Sequence, residues 1–266
     1  MKFGVIILTK DRPDLLRECL RHLQVSVNGG PKPPVFVWDN GADEETPTIC
    51  AEFGARRLGG DGTNTSFSAA NNAAASEFKG DLLLLNNDVF VRPGCLEALI
   101  AERKAGADIV GTKLFYPNGT IQHYGIGFSR DYQPFHVSRN TAPHDWFIQE
   151  NRVCPAVTFA CVMISRKTWD DIGGLDEEYF YSYEDIDFCL RARETGAIVG
   201  VSAAAQAVHL ESQTEGRSAN NGVNWVTFFR KWLATGRLYA ALGVWPFWIS
   251  DSLGRIQGPV MQEVTH

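Results

Sequence analysis

The chain has 266 residues, 44% of them hydrophobic and 21% charged, the balance of a soluble globular protein with room for a sizeable core. A formal charge of −6 argues against a broad nucleic-acid-binding surface. The apolar run in Phe3–Leu8 is too short for a secretory signal, and no run reaches the roughly 18 residues of a membrane span, so a cytoplasmic location is expected.

The first half alternates strands and helices, the pattern of a parallel sheet. Phe3–Leu8 reads as a buried strand, followed by the turn Thr9-Lys10-Asp11-Arg12-Pro13. A helix over Asp14–Gln24 puts Leu15, Leu16, Cys19, Leu20 and Leu23 on one face. Gly29–Pro34 leads to a second strand, Val35–Trp38, which stops at the polar cluster Asp39-Asn40-Gly41. A helix over Asp43–Phe53 and a short strand over Ala55–Leu58 follow. The glycines at 59, 60 and 62 permit a close backbone approach, and the Ala- and Ser-rich helix over Ser68–Ala75 lets a sheet or a ligand come near its axis. There is no Walker loop and no Gly-x-Gly-x-x-Gly fingerprint.

Leu82–Leu85 are consecutive leucines, as in a strand buried on both faces, and the run breaks abruptly into Asn86-Asn87-Asp88. Open α/β sheets bind ligands outside the carboxyl ends of their strands. Asp88 there offers a hard oxygen ligand suited to Mg2+ or Mn2+ on a diphosphate. A strand capped by an Asx turn accounts for the same residues. Pro93 then opens a helix whose buried face is Leu96, Leu99 and Ile100.

The second half changes character. Ile109–Tyr116 and Thr120–Phe128 read as strands of a hairpin turned by Pro117-Asn118-Gly119. Ser129–Arg152, with little periodicity but with His136, His144 and Trp146, reads as a long functional loop. Ala156–Ser165 is expected as a buried strand and Ala197–Ser202 as the last one, with His209 shortly after it. Between them, Ile186, Cys189, Leu190 and Arg193 share a helical stripe that leaves Glu184, Asp185 and Asp187 in the first turn. The helix dipole favours ionised carboxylates there, and simple capping explains them equally well. The six cysteines are scattered without Cys-x-x-Cys spacing and read as reduced, packed thiols.

Taken as an ordered set, Thr9, Asp39-Asn40-Gly41, Asn64 to Asn71, Asn86-Asn87-Asp88, Gly173-Gly174-Leu175-Asp176-Glu177, Tyr183-Glu184-Asp185-Ile186-Asp187 and His209 resemble family 2 glycosyltransferases, most closely the bacterial rhamnosyltransferase-like branch. The resemblance runs from residue 3 to about 233. It implies a GT-A-like α/β fold, a mostly parallel sheet flanked by helices with a small antiparallel acceptor-side part. It divides the chain into a domain over 1–233, with a nucleotide-sugar half (1–108) and an acceptor half (109–233), and a helical extension over 234–266. It further implies a nucleoside-diphosphate-sugar donor of UDP or dTDP type, a divalent cation (Mn2+ or Mg2+), and inversion at the anomeric carbon.

Carried over to this sequence, Thr9 and Asp39 hold the nucleoside, with Asp39 accepting from the base N3–H. Asp11, Arg12, Asn40, Asn64, Asn71 and Asn87 line the donor side. Asp88 and His209 are the metal ligands, Asp185 the catalytic base, and Glu184 its paired acid. Two departures stand out. Asn86 and Asn87 precede a single acid, which makes the metal site less anionic. Phe159 stands where the family commonly has Gly, so a ring is expected to narrow the sugar or acceptor pocket. The chemistry admits two alternatives, a nucleotidyltransferase and a non-catalytic nucleotide-sugar binder. Thr9–Pro13 is not the basic Gly-rich loop of the first, and a pure binder needs no base. The acceptor is left open among a lipid-linked saccharide, a free glycan, a protein side chain and a nucleobase hydroxyl. Ala240–Ile249 is apolar enough to touch a membrane face or a partner, though packing against the domain explains it as well.

Overall fold

The computed structural model describes residues 1–27, 32–129, 131–180, 182–211 and 221–242. The chain begins with β1 (Phe3–Thr9), α1 (Pro13–Ser26), β2 (Val35–Asp39), α2 (Thr46–Phe53), β3 (Arg56–Gly59), α3 (Phe67–Ser76) and β4 (Asp81–Asn86). These first strands are all parallel: β1 lies between β2 and β4, and β3 extends the sheet beyond β2. A strand with neighbours on both edges and helices over its faces must be apolar throughout. Leu82–Leu85 are accordingly no more than 2% exposed.

Then come β5 (Val89–Val91), α4 (Cys95–Lys104), β6 (Ile109–Phe115), β7 (Ile121–His123), β8 (Ile126–Phe128), β9 (Pro134–His136), β10 (Arg152–Val153), β11 (Cys161–Ile164), α5 (Arg166–Asp171), α6 (Glu184–Glu194), β12 (Val199–His209), α7 (Asn221–Phe228) and α8 (Arg237–Leu242). The main sheet runs β10-β12-β6-β11-β4-β1-β2-β3, with β5 paired to β12 and β7 to β6. β11 is antiparallel to both β4 and β6, and so joins the two halves of the chain edge to edge. β8 and β9 form a separate hairpin. All six cysteines are buried and unbridged.

Several boundaries differ from the sequence-based expectation. Asp43 does not begin a helix. Its carboxylate caps α2, accepting from the backbone N–H of Glu45 at 3.0 Å and of Thr46 at 2.8 Å. The strand expected over Thr120–Phe128 breaks into β7 and β8 at Gly125, whose φ of +91° suits glycine and whose missing Cβ leaves room for the Cys154 side chain. The expected loop over 129–152 contains β9 and a 3-10 turn at Trp146–Gln149. The strand expected over Ala156–Ser165 is only β11, because Ala156 bridges Ile126 instead.

The last strand is much longer than expected. β12 bulges between Ser202 and Gln206 and then resumes its pairing with β6, so His209 is a strand residue and not part of a following loop. Among the described residues, no helix is long and apolar enough to cross a membrane. Most of the Ala240–Ile249 stretch, from Gly243 on, lies outside the described residues.

Candidate active site

Parallel β1, β2 and β4 end together, which brings Thr9, Asp39 and the segment after Asn86 to one rim of the sheet. Asn87 donates through Nδ2 to Thr9 Oγ1 at 3.0 Å. Asn40 ties β2 to the loop before α3: its Oδ1 accepts from Trp38 Nε1 at 3.0 Å and from Thr65 N–H at 3.1 Å, and its Nδ2 donates to the Thr65 carbonyl at 2.8 Å. Asp11, at φ +48°, accepts from Ala42 N–H at 3.0 Å. Gly41 is required at that contact, since a Cβ there would lie 2.3 Å from Asp11 Oδ1.

The Asp39 carboxylate is fully buried, accepting from Gly41 N–H at 2.9 Å and from Arg57 Nε at 2.9 Å and Nη2 at 2.8 Å. The guanidinium is partly exposed, so a ligand approaching Asp39 from solvent meets Arg57 first. Arg12 forks onto Asp14 (2.9 and 2.8 Å); that hydrogen bond, more than the charges of Asp14 and Asp88, raises its pKa against a smaller opposing effect of burial. Asn64 is exposed in the loop before α3, whereas Asn71 is buried and donates to the Phe67 carbonyl of its own helix at 2.9 Å.

The centre of the site is Asp88 and His209, both nearly buried, with His209 Nε2 3.3 Å from Asp88 Oδ1. The pairing of β5 with β12 sets this approach: His209 stands opposite Val89, and Leu210 N–H donates to the Asp88 carbonyl at 3.1 Å. On the other ring edge, His209 Nδ1 lies 2.7 Å from Gln122 Oε1, while Gln122 Nε2 points to the His209 carbonyl at 3.4 Å. With the amide oriented that way, Nδ1 must be the protonated nitrogen. In the neutral ring Nε2 then presents its lone pair toward the carboxylate, and Nε2 makes no hydrogen bond. Two acceptors facing each other at this distance suit a cation, whether a proton or a metal ion, between them. The donor set, one neutral imidazole and one carboxylate, suits Mn2+ or Mg2+ that takes further oxygens from a diphosphate and water. No group of three or more His, Cys, Asp or Glu side chains arranged for a metal occurs among the described residues.

A cavity of about 300 Å3 is lined by Asp185 and Glu184 together with Tyr183, Thr158, Phe135 and His136. Its acidic wall is the start of α6, entered through Ser182 and Tyr183 at φ of +75° and +72°. Non-glycine residues in that region cost about 1–3 kcal/mol each and persist only when packing over-determines them. Here the Tyr183 ring is held against Phe228 at 5.2 Å and Trp225 at 5.9 Å from α7. Phe159 does not narrow this cavity, contrary to expectation; it is buried against Phe188 in the core, and its neighbour Thr158 lines the wall. Asp187, two residues after Asp185 and so on another side of the helix, is fully buried and serves the fold. Arg191 Nε, Trp232 Nε1 and Lys231 Nζ reach it at 2.7, 2.8 and 2.7 Å.

Gln122, His123 and Arg57 escaped the sequence reading. The available signal was two adjacent polar residues, Gln122-His123, in an otherwise apolar strand, and both prove to be buried.

The Glycosyl transferase family 2 model matches residues 4–169. The O-antigen biosynthesis protein RfbC of Myxococcus xanthus is 30% identical over 87% of this chain, which corresponds to 19% of RfbC. The N-acetylglucosaminyl-diphospho-decaprenol L-rhamnosyltransferase of Mycobacterium tuberculosis is 23% identical, over 69% of this chain and 68% of its own length. A structure of GalNAc-T7 with UDP, GalNAc and Mn2+ superposes with a TM-score of 0.69 at 12% identity, covering 88% of this chain and 49% of that one. The fold is thus GT-A, and the chain belongs to glycosyl transferase family 2. It spans 19%, 25% and 29% of the lengths of the first curated relatives it matches.

Proposed function

We propose that this protein is a divalent-cation-dependent glycosyltransferase that moves a sugar from a UDP- or dTDP-type donor to an acceptor hydroxyl with inversion, in the assembly of a bacterial surface polysaccharide. The observation that carries the reading is Nε2 of His209, without a hydrogen-bond partner, turned onto the Asp88 carboxylate at the carboxyl rim of a GT-A sheet. The acceptor class follows the printed functions of the relatives, an O-antigen biosynthesis protein and a rhamnosyltransferase acting on a diphospho-decaprenol-linked saccharide.

Asp88 and His209 would hold Mn2+ or Mg2+, which neutralises the charge developing on the departing diphosphate. Thr9, Asp11, Arg12, Asn40, Asn64, Asn71 and Asn87 form the donor side. Asp39 accepts from the base N3–H once Arg57 turns aside, which favours uracil and thymine over cytosine. Asp185 takes the acceptor proton as the hydroxyl attacks the anomeric carbon, and the helix N-terminus keeps it ionised beforehand. Glu184 shapes the same wall.

Calorimetric titration of Mn2+ in the presence of UDP tests the assignment. His209→Ala abolishes most of the metal affinity, and Gln122→Leu, which frees the imidazole to turn, costs about 10–100-fold. Asp185→Asn leaves that titration intact and lowers turnover by about 10². Wild-type metal affinity in His209→Ala removes the metal pair from the site and the proposal with it.

A further inference from the structure

The bulge of β12 opens a second cavity. The neighbouring strands β6, β10 and β5 pair with residues on either side of Ala203–Ala205, and those three alanines have no strand partner. The gap they leave is one wall of a cavity of about 590 Å3, which Lys113, Gln149, Glu150, Asn151 and Gln206 complete. It shares no lining residue with the cavity that holds Asp185.

Lys113 is the buried cation of this wall. Its main chain is taken up by pairing with Gln206, so the side chain is what it presents. The ammonium is fixed 3.0 Å from the carbonyl of Ile148, the residue that leads directly into the wall formed by Gln149, Glu150 and Asn151. An ammonium has three N–H donors, and this carbonyl takes one. Among the described residues, Lys113 has no further side-chain hydrogen bond and no ion pair; its other neighbours are the rings of Phe115 and Tyr124, each centred 5.9 Å away. A second cation, Arg92, lies over the same Phe115 ring at 4.2 Å. Arg92 Nη1 donates to Gln206 Oε1 at 3.1 Å, and the guanidinium likewise has no carboxylate partner among the described residues. Glu150, the acid of the cavity wall, is bound to Arg152 at 3.0 Å. Two positive charges thus share one ring without a counter-ion. A buried charge left unpaired is costly, and burial, aided by Arg92, lowers the Lys113 pKa.

We propose that this cavity binds a phosphate group, free or as a monoester, with the Lys113 ammonium donating to its oxygens and Arg92 adding attraction from behind Gln206. Lysine acts as a compact point charge toward phosphate. A carboxylate would offset one of the two positive charges, whereas a phosphate monoester carries about −1.5 to −2 at pH 7 and offsets both. The volume exceeds that of a single small anion and leaves room for an attached sugar. The site goes beyond the glycosyltransferase reading, and its test needs no sugar donor.

Calorimetric titration of the full chain with glucose 1-phosphate, inorganic phosphate and glucose, without added metal or nucleotide, tests the site. Glucose 1-phosphate should bind saturably and glucose should not. Equal affinity for inorganic phosphate assigns the binding to the phosphate group alone, and weaker binding of inorganic phosphate assigns part of it to the sugar. Lys113→Met, which replaces the ammonium by an apolar chain, should weaken binding by about 10–100-fold, the scale of a charge-assisted hydrogen bond. Ala204→Trp, at the exposed residue of the bulge, leaves the lysine in place and fills the cavity; it should weaken binding to a similar extent and keeps the test open if Lys113→Met does not fold. Asp88→Ala should leave the affinity unchanged, because a phosphate held at the candidate active site would depend on that residue. No saturable binding to wild type, equal binding of glucose, wild-type affinity in Lys113→Met or Ala204→Trp, or loss of binding in Asp88→Ala each overturns the proposal.

Discussion

Lys113 shows how far a single side chain can sit from its comfortable environment. It is 2% exposed on β6, its ammonium donates to the Ile148 carbonyl at 3.0 Å, and burial, aided by nearby Arg92, lowers its pKa from 10.5 to about 8. Because the folded-state pKa lies below the unfolded one, the unfolded chain binds more protons between about pH 8 and pH 10.5. Stability is therefore penalised in full below pH 8 and recovers as pH rises through this window. The shift sets an upper scale of about 3 kcal/mol. Urea unfolding of wild type and Lys113→Met should show the gap between them changing in favour of wild type by about 1–3 kcal/mol from pH 7 to pH 10. Groups common to both proteins cancel in that difference, so a gap independent of pH contradicts the depressed pKa. No pattern around residue 113 announced this: a lysine in Gly-Thr-Lys-Leu-Phe reads as the solvent face of a strand. The candidate-site acids were legible because Asp88 and Asp185 sit at recognisable ends of a strand and a helix. Arg57 and Gln122 were not, because their partners lie 18 and 87 residues away.

At the scale of elements, α6 matters most, since its first turn carries Asp185 and its fold-side anchor is Asp187. Asp187 is where α6 meets the segment Phe229–Leu233, through Trp232 and Lys231, while Arg191 closes the clasp within the helix. Lys231 also reaches Asp176 at 2.6 Å, so the same contact pins the connection leading into α6. Breaking a buried charge pair from one side strands its partners and costs about 3–5 kcal/mol. Asp187→Asn should accordingly lower the melting temperature by roughly 6–15 °C. Trp232→Phe, which loses one hydrogen-bond donor and some buried ring volume, should cost less, about 1–3 kcal/mol. Equal effects of the two substitutions would show that packing, and not the charge cluster, holds the clasp. The existence and type of α6 were plain from its apolar stripe. The extent of β12 was not: three alanines in succession, Ala203–Ala205, carry no strand signal, and only their bulge against β6 lets the strand continue to His209.

For the molecule as a whole, sheet connectivity and the candidate site make the same demand. β11, from the second half of the sequence, is inserted between β4 and β6, and one contiguous core runs from Val5 to Leu242. The Asp88–His209 pair likewise spans the halves, with Asp88 following β4 and His209 ending β12. Neither half can bury its sheet edge alone, so heat should unfold the full chain in one transition by calorimetry and circular dichroism together. A ligand that binds only the folded state raises that transition by about 2.7 kcal/mol at a hundredfold excess over its Kd, or roughly 5–10 °C at this size. UDP with Mn2+ should move the whole transition by that amount, and a chelator should reverse the Mn2+-dependent part. His209→Ala should keep the single transition and lose the Mn2+-dependent part of the shift. Two transitions, of which the ligands move only one, would mean that the halves fold separately and that Asp88 and His209 do not act as one site.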